Sequence, residues 1–222
     1  MIYNTYKTFI IKNYKEMCIM DTKSRIMEES FKLFLKKGFV DVSLNEIRKA
    51  SNITTGGFYY HFDSKDALLV AVIEKYIFNY FNSTIRQIRD FEGTPKEKLK
   101  TVILSIIGDD ITINKSTKLC ESSEKIDYRT LHLLLFEGVQ KYEIISKYYT
   151  EFYYNLLNFI KDVLDGGIAQ GIIRRDIDST EFATFIQTSM VGTVLMWIAL
   201  PKMPLENRMN SNIDHLWNYI TK

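Results

Sequence analysis

The sequence predicts an all-α protein in which a small N-terminal helix-turn-helix unit joins a larger helical body. Three observations predict this fold class. Apolar residues recur at intervals of three and four along most of the 222 residues. Only three prolines interrupt the chain, and no run of alternating apolar and polar residues argues for a strand. We expect an N-terminal extension at 1–20, a three-helix domain at 21–66 and a larger helical domain at 67–222.

Composition narrows the functional classes only slightly. The 29 basic and 27 acidic residues give a net charge of +2, which is too small to indicate nucleic-acid binding by itself. The two cysteines, Cys18 and Cys120, match no metal or redox spacing. Residues 1–20 show no secretory signal, because lysines interrupt their apolar residues. A cytoplasmic location is therefore expected.

One uncharged run, from Phe182 to Pro201, is long enough to cross a membrane. It contains several threonines and Gln187, and it lacks flanking basic clusters or an aromatic belt. Its larger apolar residues recur at helical spacing. The sequence therefore favours a mostly buried helix of a soluble protein, with no membrane as a partner.

The first three helices are indicated by their ends. An apolar face predicts a helix from Asp21 to Lys37, with Gly38 as a left-handed C-terminal cap. Ser43 and Glu46 have the spacing of a capping box at the start of the second helix. Asn52 tolerates positive φ in the following tight turn, and a short third helix follows at 54–62.

The larger body contains further helix signals. A fourth helix begins after Asp63 or Ser64 and serves as the connector between the two domains. A break follows at 93–95. We expect long helices at about 146–169 and 178–200, the second beginning at a pair, Asp178 and Glu181, that resembles a capping box.

The stretch NITTGGFYYHFDSKDAL at 52–68 combines features that neither a buried helix nor a surface loop needs. Phe58 and Phe62, four residues apart, share the face that points toward the first two helices. Tyr59 and Tyr60 cannot both share it, and a tyrosine hydroxyl can reach a phosphate oxygen. A glycine at Gly56, near a helix N-terminus, lets backbone amides approach an anion closely.

The longer segment SLNEIRKASNITTGGFYYHFDSKDALL resembles the DNA-binding signature of the TetR family of bacterial transcriptional regulators. Residues of that signature recur here in the family's order and spacing: Ile47, Gly56, Tyr59, Tyr60, His61, Phe62, Lys65 and Leu68. The specific similarity covers about residues 22–75. The rest of the chain resembles the family in helical layout, in total length and in GIIRRDID before a long helix.

The resemblance implies that the third helix enters the major groove of double-stranded operator DNA. It implies DNA contacts at Ser43, Thr54, Thr55, Gly56, Tyr59, Tyr60, His61 and Lys65. Leu44, Ile47, Phe58 and Phe62 would hold the unit together. The family resemblance further implies a homodimer built mainly from the last two long helices. The C-terminal body would bind a small-molecule effector that lowers DNA affinity, so a repressor is expected.

The chain departs from the family at several positions. The family often has lysine where this chain has Thr55, threonine in place of Gly57, glycine in place of Asn52 and alanine in place of Arg48. Residues 21–66 contain eight basic and seven acidic residues, a net of +1. We therefore expect modest non-specific affinity, with discrimination left largely to groove shape and to dimer spacing. The extension at 1–20 has a net charge of +2 and could contact DNA as a basic arm. The favoured interpretation is a weakly ordered segment before the first domain, and Met17 and Met20 are alternative start positions.

Residues for catalysis or metal binding are not indicated. The three histidines are far apart in sequence, and no HExxH, CxxC, GxSxG or phosphate-loop motif occurs. No catalytic residue, metal or cofactor is predicted. Candidates for lining an apolar effector pocket are His132, Phe136, Gln187 and Met190, since each lies in or beside an apolar helical segment. Such a pocket suits lipophilic or planar molecules.

Two other functional classes remain open from the sequence. One is a dimeric sensor or interaction protein that keeps the helix-turn-helix unit only as a structural element, which the glycine pair and the near-neutral charge would allow. An enzyme is the third class, for which the sequence contains no catalytic constellation.

Overall fold

The computed structural model describes residues 21–90, 92–106, 128–200 and 202–221, and within these ranges the regular structure is helical, without a strand. The all-α prediction is confirmed. The chain divides into two compact units, Met1–Val72 and Ile73–Lys222, so the division falls within a helix and beyond the expected position at Asp66. The predicted extension at 1–20 and both cysteines lie outside the described residues.

The first unit contains three short helices and most of a fourth. They are α1 (Thr22–Lys37), α2 (Leu44–Ala50), α3 (Thr55–His61) and α4 (Lys65–Ile73). Asp21 begins α1, because its carboxylate accepts from the Ser24 amide at 3.0 Å. Fully buried apolar side chains from all four helices fill the core: Ile26, Phe31, Phe34, Ile47, Phe58 and Leu68.

Two residues with positive φ end helices or form turns in this unit. Asn52 has a φ of 50° in the turn between α2 and α3, as the sequence predicts. Gly38 also has a positive φ, 79°, but its ψ of 166° lies outside the left-handed helical region. The predicted left-handed cap was therefore wrong in its geometry. The Gly38 amide nevertheless closes α1 by donating to the Phe34 carbonyl.

The second unit is a larger helical body. It begins with a π-helical segment, Glu74–Phe78, and continues as α5 (Asn79–Asp90), α6 (Pro95–Ile106), α7 (Tyr128–Lys141), α8 (Glu143–Ala169), α9 (Ser179–Ala199) and α10 (Leu205–Ile220). The long helix α8 packs against α5, α6, α7 and α9, while α10 packs against α6 and α9. The sequence did not predict α10 or the π-helical segment.

The apolar pattern explains the π-helical segment. Ile73, Ile77, Phe81 and Ile85 are all buried and follow one another at intervals of four. An α-helix has 3.6 residues per turn, so each such interval rotates the side chain about 40° further around the axis. The wider turn of Glu74–Phe78 takes up much of this rotation. The buried side chains therefore stay on one side of the helix.

Helix α9 is less buried than the sequence predicted. It is the described helix that is long and apolar enough to cross a membrane, with a mean hydropathy of 1.5, yet only 28% of its most apolar window is buried. Ile186, Met190 and Val194 face α8 and α10, whereas Phe185 is 57% exposed. The expectation of a mostly buried helix was wrong for the single chain, because apolar residues surround α9 and its neighbours cover only one side.

Candidate nucleic-acid interface

The start of α2 is fixed by a complete capping box. The Ser43 hydroxyl oxygen accepts from the Glu46 amide at 3.2 Å, and the Glu46 carboxylate accepts from the Ser43 amide at 2.8 Å. Lys37 of α1 also donates to Glu46. The ammonium of Lys37, followed by the Ser43 amide and hydroxyl, lowers the pKa of Glu46 to about 2. Glu46 thus stays ionised, and its contribution to stability is lost only as pH falls from about 4.5 toward 2.

Helix α3 separates its aromatic side chains between the core and the surface. Thr54 caps the helix by accepting from the Gly57 amide at 3.0 Å. Phe58 is fully buried and Phe62 is 6% exposed, whereas Tyr59 is 53% and Tyr60 85% exposed. The exposed tyrosines carry hydroxyl groups suited to phosphate or sugar contacts. Burial alone does not require tyrosine at either position.

The two glycines of α3 have different surroundings. A Cβ atom at Gly57 would lie 3.3 Å from the capping oxygen of Thr54, so a side chain there would press on the cap. A Cβ atom at Gly56 would meet no atom within 4 Å. Gly56 is also exposed, and glycine costs about 1 kcal/mol relative to alanine inside a helix. Packing within the chain therefore does not explain glycine at this position.

His61 ends α3 and lies beside Tyr60. Their ring centroids are 4.9 Å apart in an edge-to-face arrangement, and the His61 side chain is partly exposed. Thr54 and Thr55 at the other end of the helix are exposed. The candidate residues on α3 therefore form one short surface on a helix whose opposite side is held in the core.

Lys65 has contacts that the sequence did not indicate. Its ammonium donates to the carbonyl oxygens of Phe39 and Val42, at 2.9 and 2.7 Å, and lies 4.4 Å from the centre of the Phe39 ring. The segment between α1 and α2 is thereby tied to the start of α4. This arrangement gives Lys65 a structural role, with its donors directed at the backbone. Ser43 and the other candidates from Thr54 to Tyr60 are exposed, and His61 is partly exposed.

The four pocket candidates lie on two helices of the second unit. His132 and Phe136 are on α7, and Gln187 and Met190 are on α9. His132 packs edge-to-face on Trp197, with ring centroids 6.4 Å apart, and its Nε2 atom is buried without a hydrogen-bond partner. Burial lowers the pKa of His132 to about 4. The imidazole is therefore neutral at physiological pH.

A tyrosine pair on α8 lies between these helices. Tyr149 donates to the Tyr153 hydroxyl oxygen at 3.0 Å, and burial raises the pKa of both phenols. Gln187 donates to the Tyr153 carbonyl oxygen at 2.8 Å. Phe136 packs near Tyr149, with ring centroids 6.4 Å apart. Met190 is 4% exposed and belongs to the packed core.

Arg129 also lies at this location, although the sequence did not indicate it. Its guanidinium lies 4.6 Å from the Trp197 ring and donates to the Trp197 carbonyl oxygen at 2.9 Å. Trp197 therefore contacts both Arg129 and His132. The three-residue spacing of Arg129 and His132 on one helix face was the available signal. Its partner on α9 is distant in sequence, so the pairing was not visible.

The first unit matches the model of a known protein family. The family model described as "Bacterial regulatory proteins, tetR family" matches residues 26–72. An uncharacterized HTH-type transcriptional regulator of Bacillus subtilis, YerO, is 42% identical over 84 residues, which are 37% of this chain and 29% of that protein. The HTH-type transcriptional repressor NemR of Escherichia coli is 25% identical over 113 residues, 47% of this chain and 57% of that protein.

The similarity in fold extends further than the similarity in sequence. The crystal structure of a TetR-family transcriptional regulator from Cytophaga hutchinsonii matches 90% of this chain and 94% of its own, with a TM-score of 0.69 and 22% identity. The chain thus has the two-domain helical fold of that structure. By sequence, however, it spans 29% of YerO and 57% of NemR.

Proposed function

Because the chain belongs to the TetR family of bacterial regulatory proteins, we propose that it is a dimeric, DNA-binding transcriptional regulator. It acts in the cytoplasm as a repressor, and a small lipophilic effector releases it from its operator. It is proposed to be a regulator rather than an enzyme. The name of its relative NemR, a transcriptional repressor, supports the direction of regulation.

One observation supports the DNA-binding proposal. The exposed side of α3 has residue types that neither packing nor stability of the fold requires. Tyr59 and Tyr60 present hydroxyls to solvent, and Gly56 has open space where a side chain would stand. A glycine that the fold does not require is expected where another molecule must approach the backbone. Duplex DNA is such a molecule, because its phosphates accept hydrogen bonds from helix N-termini and from hydroxyl side chains.

The DNA contacts are assigned to seven residues. Ser43 and Thr54 offer hydroxyls at the starts of α2 and α3, and Thr55 and Gly56 form the first turn of α3. Tyr59, Tyr60 and His61 complete the set on the exposed side. Lys65, expected from the family resemblance to contact DNA, is instead proposed to position the segment before α2.

Substitution of Gly56 by alanine tests this proposal. Alanine enters open space and has the higher helix propensity, so the free energy of unfolding should rise by up to about 1 kcal/mol. DNA affinity should nevertheless fall, because the added methyl group separates the α3 backbone from the duplex. The measurements are urea denaturation and fluorescence anisotropy with the promoter region of the protein's own gene.

Gly166→Ala is the matched control, since Gly166 also lies in a helix and a methyl group added there would meet no atom within 4 Å. It should change stability in the same sense and leave DNA affinity unchanged. If Gly56→Ala binds the promoter as tightly as the wild type does, close approach at Gly56 is refuted. An absence of preference for the promoter over random duplex would refute sequence-specific regulation.

A second function, a dimeric sensor whose helix-turn-helix unit no longer reads DNA, is favoured by two observations. Residues 21–66 have a net charge of only +1, and Lys65 directs its ammonium at backbone carbonyls. The salt dependence of DNA binding separates the two functions. A regulator that contacts several phosphates loses affinity steeply as salt rises, whereas a sensor without DNA contacts shows no measurable binding at low salt.

The effector site is proposed to lie where α7, α8 and α9 meet. His132 supplies a neutral, unpartnered ring nitrogen, and the pair Tyr149 and Tyr153 supplies hydroxyls in aromatic surroundings. These groups suit an uncharged, largely apolar molecule with one or two hydrogen-bonding atoms. Binding lowers DNA affinity only if the effector prefers the arrangement that binds DNA less well.

The dimer is proposed to form through α9 and α10. The last two long helices expected from the sequence, at about 146–169 and 178–200, are instead α8 and α9. Phe185, Leu195 and Met196 of α9 are 48–57% exposed, and Tyr219 of α10 is 58% exposed. Between the exposed residues of α9, a Cβ atom added at Gly192 would meet no atom within 4 Å. An exposed apolar stripe with a small residue at its centre suits close packing against the same helix of a second copy.

A further inference from the structure

Two adjoining cavities lie along α5 and α8 in the second unit, away from the helix faces assigned to the effector. The first has a volume of about 200 Å³ and an apolar wall that includes Phe159, Val163 and Pro95. The second has a volume of about 440 Å³ and a mostly polar lining that includes the amide side chains of Asn82, Asn155 and Asn158. One cavity therefore suits an apolar group and the other a polar group.

Arg89 and Asp162 line both cavities. The guanidinium of Arg89 lies 3.3 Å from the carboxylate of Asp162, and the two side chains are 56% and 62% exposed. An ion pair this exposed is held only weakly in water. A ligand that offers a better carboxylate to Arg89 can therefore open the pair and occupy both cavities.

The charges around the two cavities favour an anion. Among the described residues, the basic side chains of the lining are Arg86, Arg89 and Lys98, and the carboxylate is that of Asp162. Lys98 donates to the Arg89 carbonyl oxygen at 3.1 Å, which keeps its ammonium beside the first cavity and leaves it further donors. A guanidinium matches the planar, two-oxygen geometry of a carboxylate.

We propose that these cavities form one binding site for an organic carboxylate with a compact apolar end, an aromatic carboxylate above all. The ring packs on Phe159 and Val163, and the carboxylate replaces Asp162 as the partner of Arg89. The amides of the second cavity donate to the remaining carboxylate oxygen. The site goes beyond the proposed function, since it does not depend on DNA binding or on the effector site at α7, α8 and α9.

Direct binding of benzoate to the full chain, measured by isothermal titration calorimetry without DNA, tests the proposal. Benzamide is the neutral probe of the same shape. Benzoate should bind at least tenfold more tightly than benzamide, because only the carboxylate forms a charge-assisted pair with Arg89. Equal affinities for the two compounds, or no heat from either, would overturn the proposal.

Substitution of Asp162 is the sharpest test, because the proposal predicts that it increases benzoate affinity. Asp162→Asn removes the competitor for Arg89 and the repulsion on the ligand, so benzoate affinity should rise several-fold. Asp165→Asn is the matched control, because Asp165 pairs with Lys161 and lies outside both cavities. An unchanged or lower benzoate affinity in Asp162→Asn would contradict the exchange of partners.

Three further substitutions test the lining. Arg89→Gln should lower benzoate affinity about tenfold, and Lys98→Met should lower it more than Lys100→Met, since Lys100 lies on the same helix outside the cavities. Gly166→Leu should block the ring, because a Cβ atom at Gly166 meets no atom within 4 Å and Gly166 lines the first cavity. Unaltered benzoate binding in Arg89→Gln would refute the site, and far-ultraviolet circular dichroism checks that each variant is folded.

Discussion

At the scale of single residues, Lys65 shows how a charged side chain can serve the fold at a position where DNA contact is expected. Its ammonium bonds to two carbonyl oxygens between α1 and α2 and lies over the Phe39 ring. The surrounding sequence contains no sign of these contacts, since the carbonyls lie 23 and 26 residues away. The motif indicated that Lys65 is important, but not which groups it contacts, because those groups come close only in the folded chain.

We expect Lys65→Met to destabilise the protein by about 1–3 kcal/mol, the range for a lost hydrogen bond that involves a charged group. DNA affinity should fall only in proportion to the loss of folded protein. Urea denaturation and DNA titration of the same variant measure both effects. Lys49→Met, at an exposed lysine of α2, is the control. Full stability together with weakened DNA binding would instead indicate a phosphate contact at Lys65.

His132 should make the stability of the protein depend on pH in the acidic range. Burial lowers its pKa from 6.5 to about 4, so the unfolded chain takes up a proton at a higher pH than the folded protein does. Stability is therefore expected to fall as pH falls from 6.5 toward 4, by roughly 3 kcal/mol from this residue. Above pH 6.5 the residue contributes no pH dependence.

Denaturant titrations at several pH values between 4 and 7 measure this effect. The variant His132→Phe should have a shallower loss of stability with acid than the wild type, since carboxylates still titrate in both proteins. His215→Gln, at an exposed histidine of α10, should follow the wild type. Parallel curves for wild type and His132→Phe would show that His132 is not held neutral.

At the scale of secondary-structure elements, local signals predicted the ends of helices better than their burial. The Ser43–Glu46 capping box and the positive φ of Asn52 were both predictable, because each depends on residues within one turn. The exposure of one side of α9 was not, because the sequence shows that its residues are apolar but not which neighbours cover them. The π-helical segment was also not predicted. Its buried side chains are four residues apart, which exceeds the 3.6 residues of an α-helical turn by less than one residue.

The start of α2 allows the structural and DNA-binding roles of Ser43 to be separated. Ser43→Ala removes the cap and should cost about 1 kcal/mol of stability. Ser43→Asp keeps a capping oxygen but places a carboxylate against that of Glu46, where the Ser43 hydroxyl donates at 2.7 Å, so stability should fall about as much as in Ser43→Ala. The added negative charge should weaken DNA binding in Ser43→Asp alone. Thermal denaturation and anisotropy titrations distinguish the two variants. Equal DNA affinity for Ser43→Asp and wild type would exclude a phosphate near Ser43.

At the scale of the whole molecule, the exposed apolar side of α9 is the feature that a single chain leaves unsatisfied. The sequence predicted an all-α chain and an N-terminal helix-turn-helix, because each depends on periodicity or a compact motif. The arrangement of α7, α8 and α9 around Trp197 and Tyr149 was beyond prediction, since it depends on pairs of residues far apart in sequence. The proposed second copy accounts for the apolar side of α9.

We expect Met196→Glu to shift the protein from dimer to monomer without unfolding it, because Met196 is 57% exposed in the single chain and a charge there opposes apolar packing. Sedimentation velocity measures the mass, and circular dichroism measures the fold. Leu133→Glu, at a similarly exposed residue of α7, should remain dimeric. A dimer that persists in Met196→Glu would place the interface on another surface.

The wide turn at Glu74–Phe78 also makes this part of the chain tolerant of a change in length. Removing the exposed residue Lys75 would place Ile73 three positions before Ile77 instead of four. Intervals of three, four and four average close to the 3.6 residues of an ordinary turn. A shortened chain would then keep its core with a regular helix, whereas losing a residue within α5 would turn the following apolar side chains toward water. Natural homologues that are one residue shorter are therefore expected to have their gap at this turn.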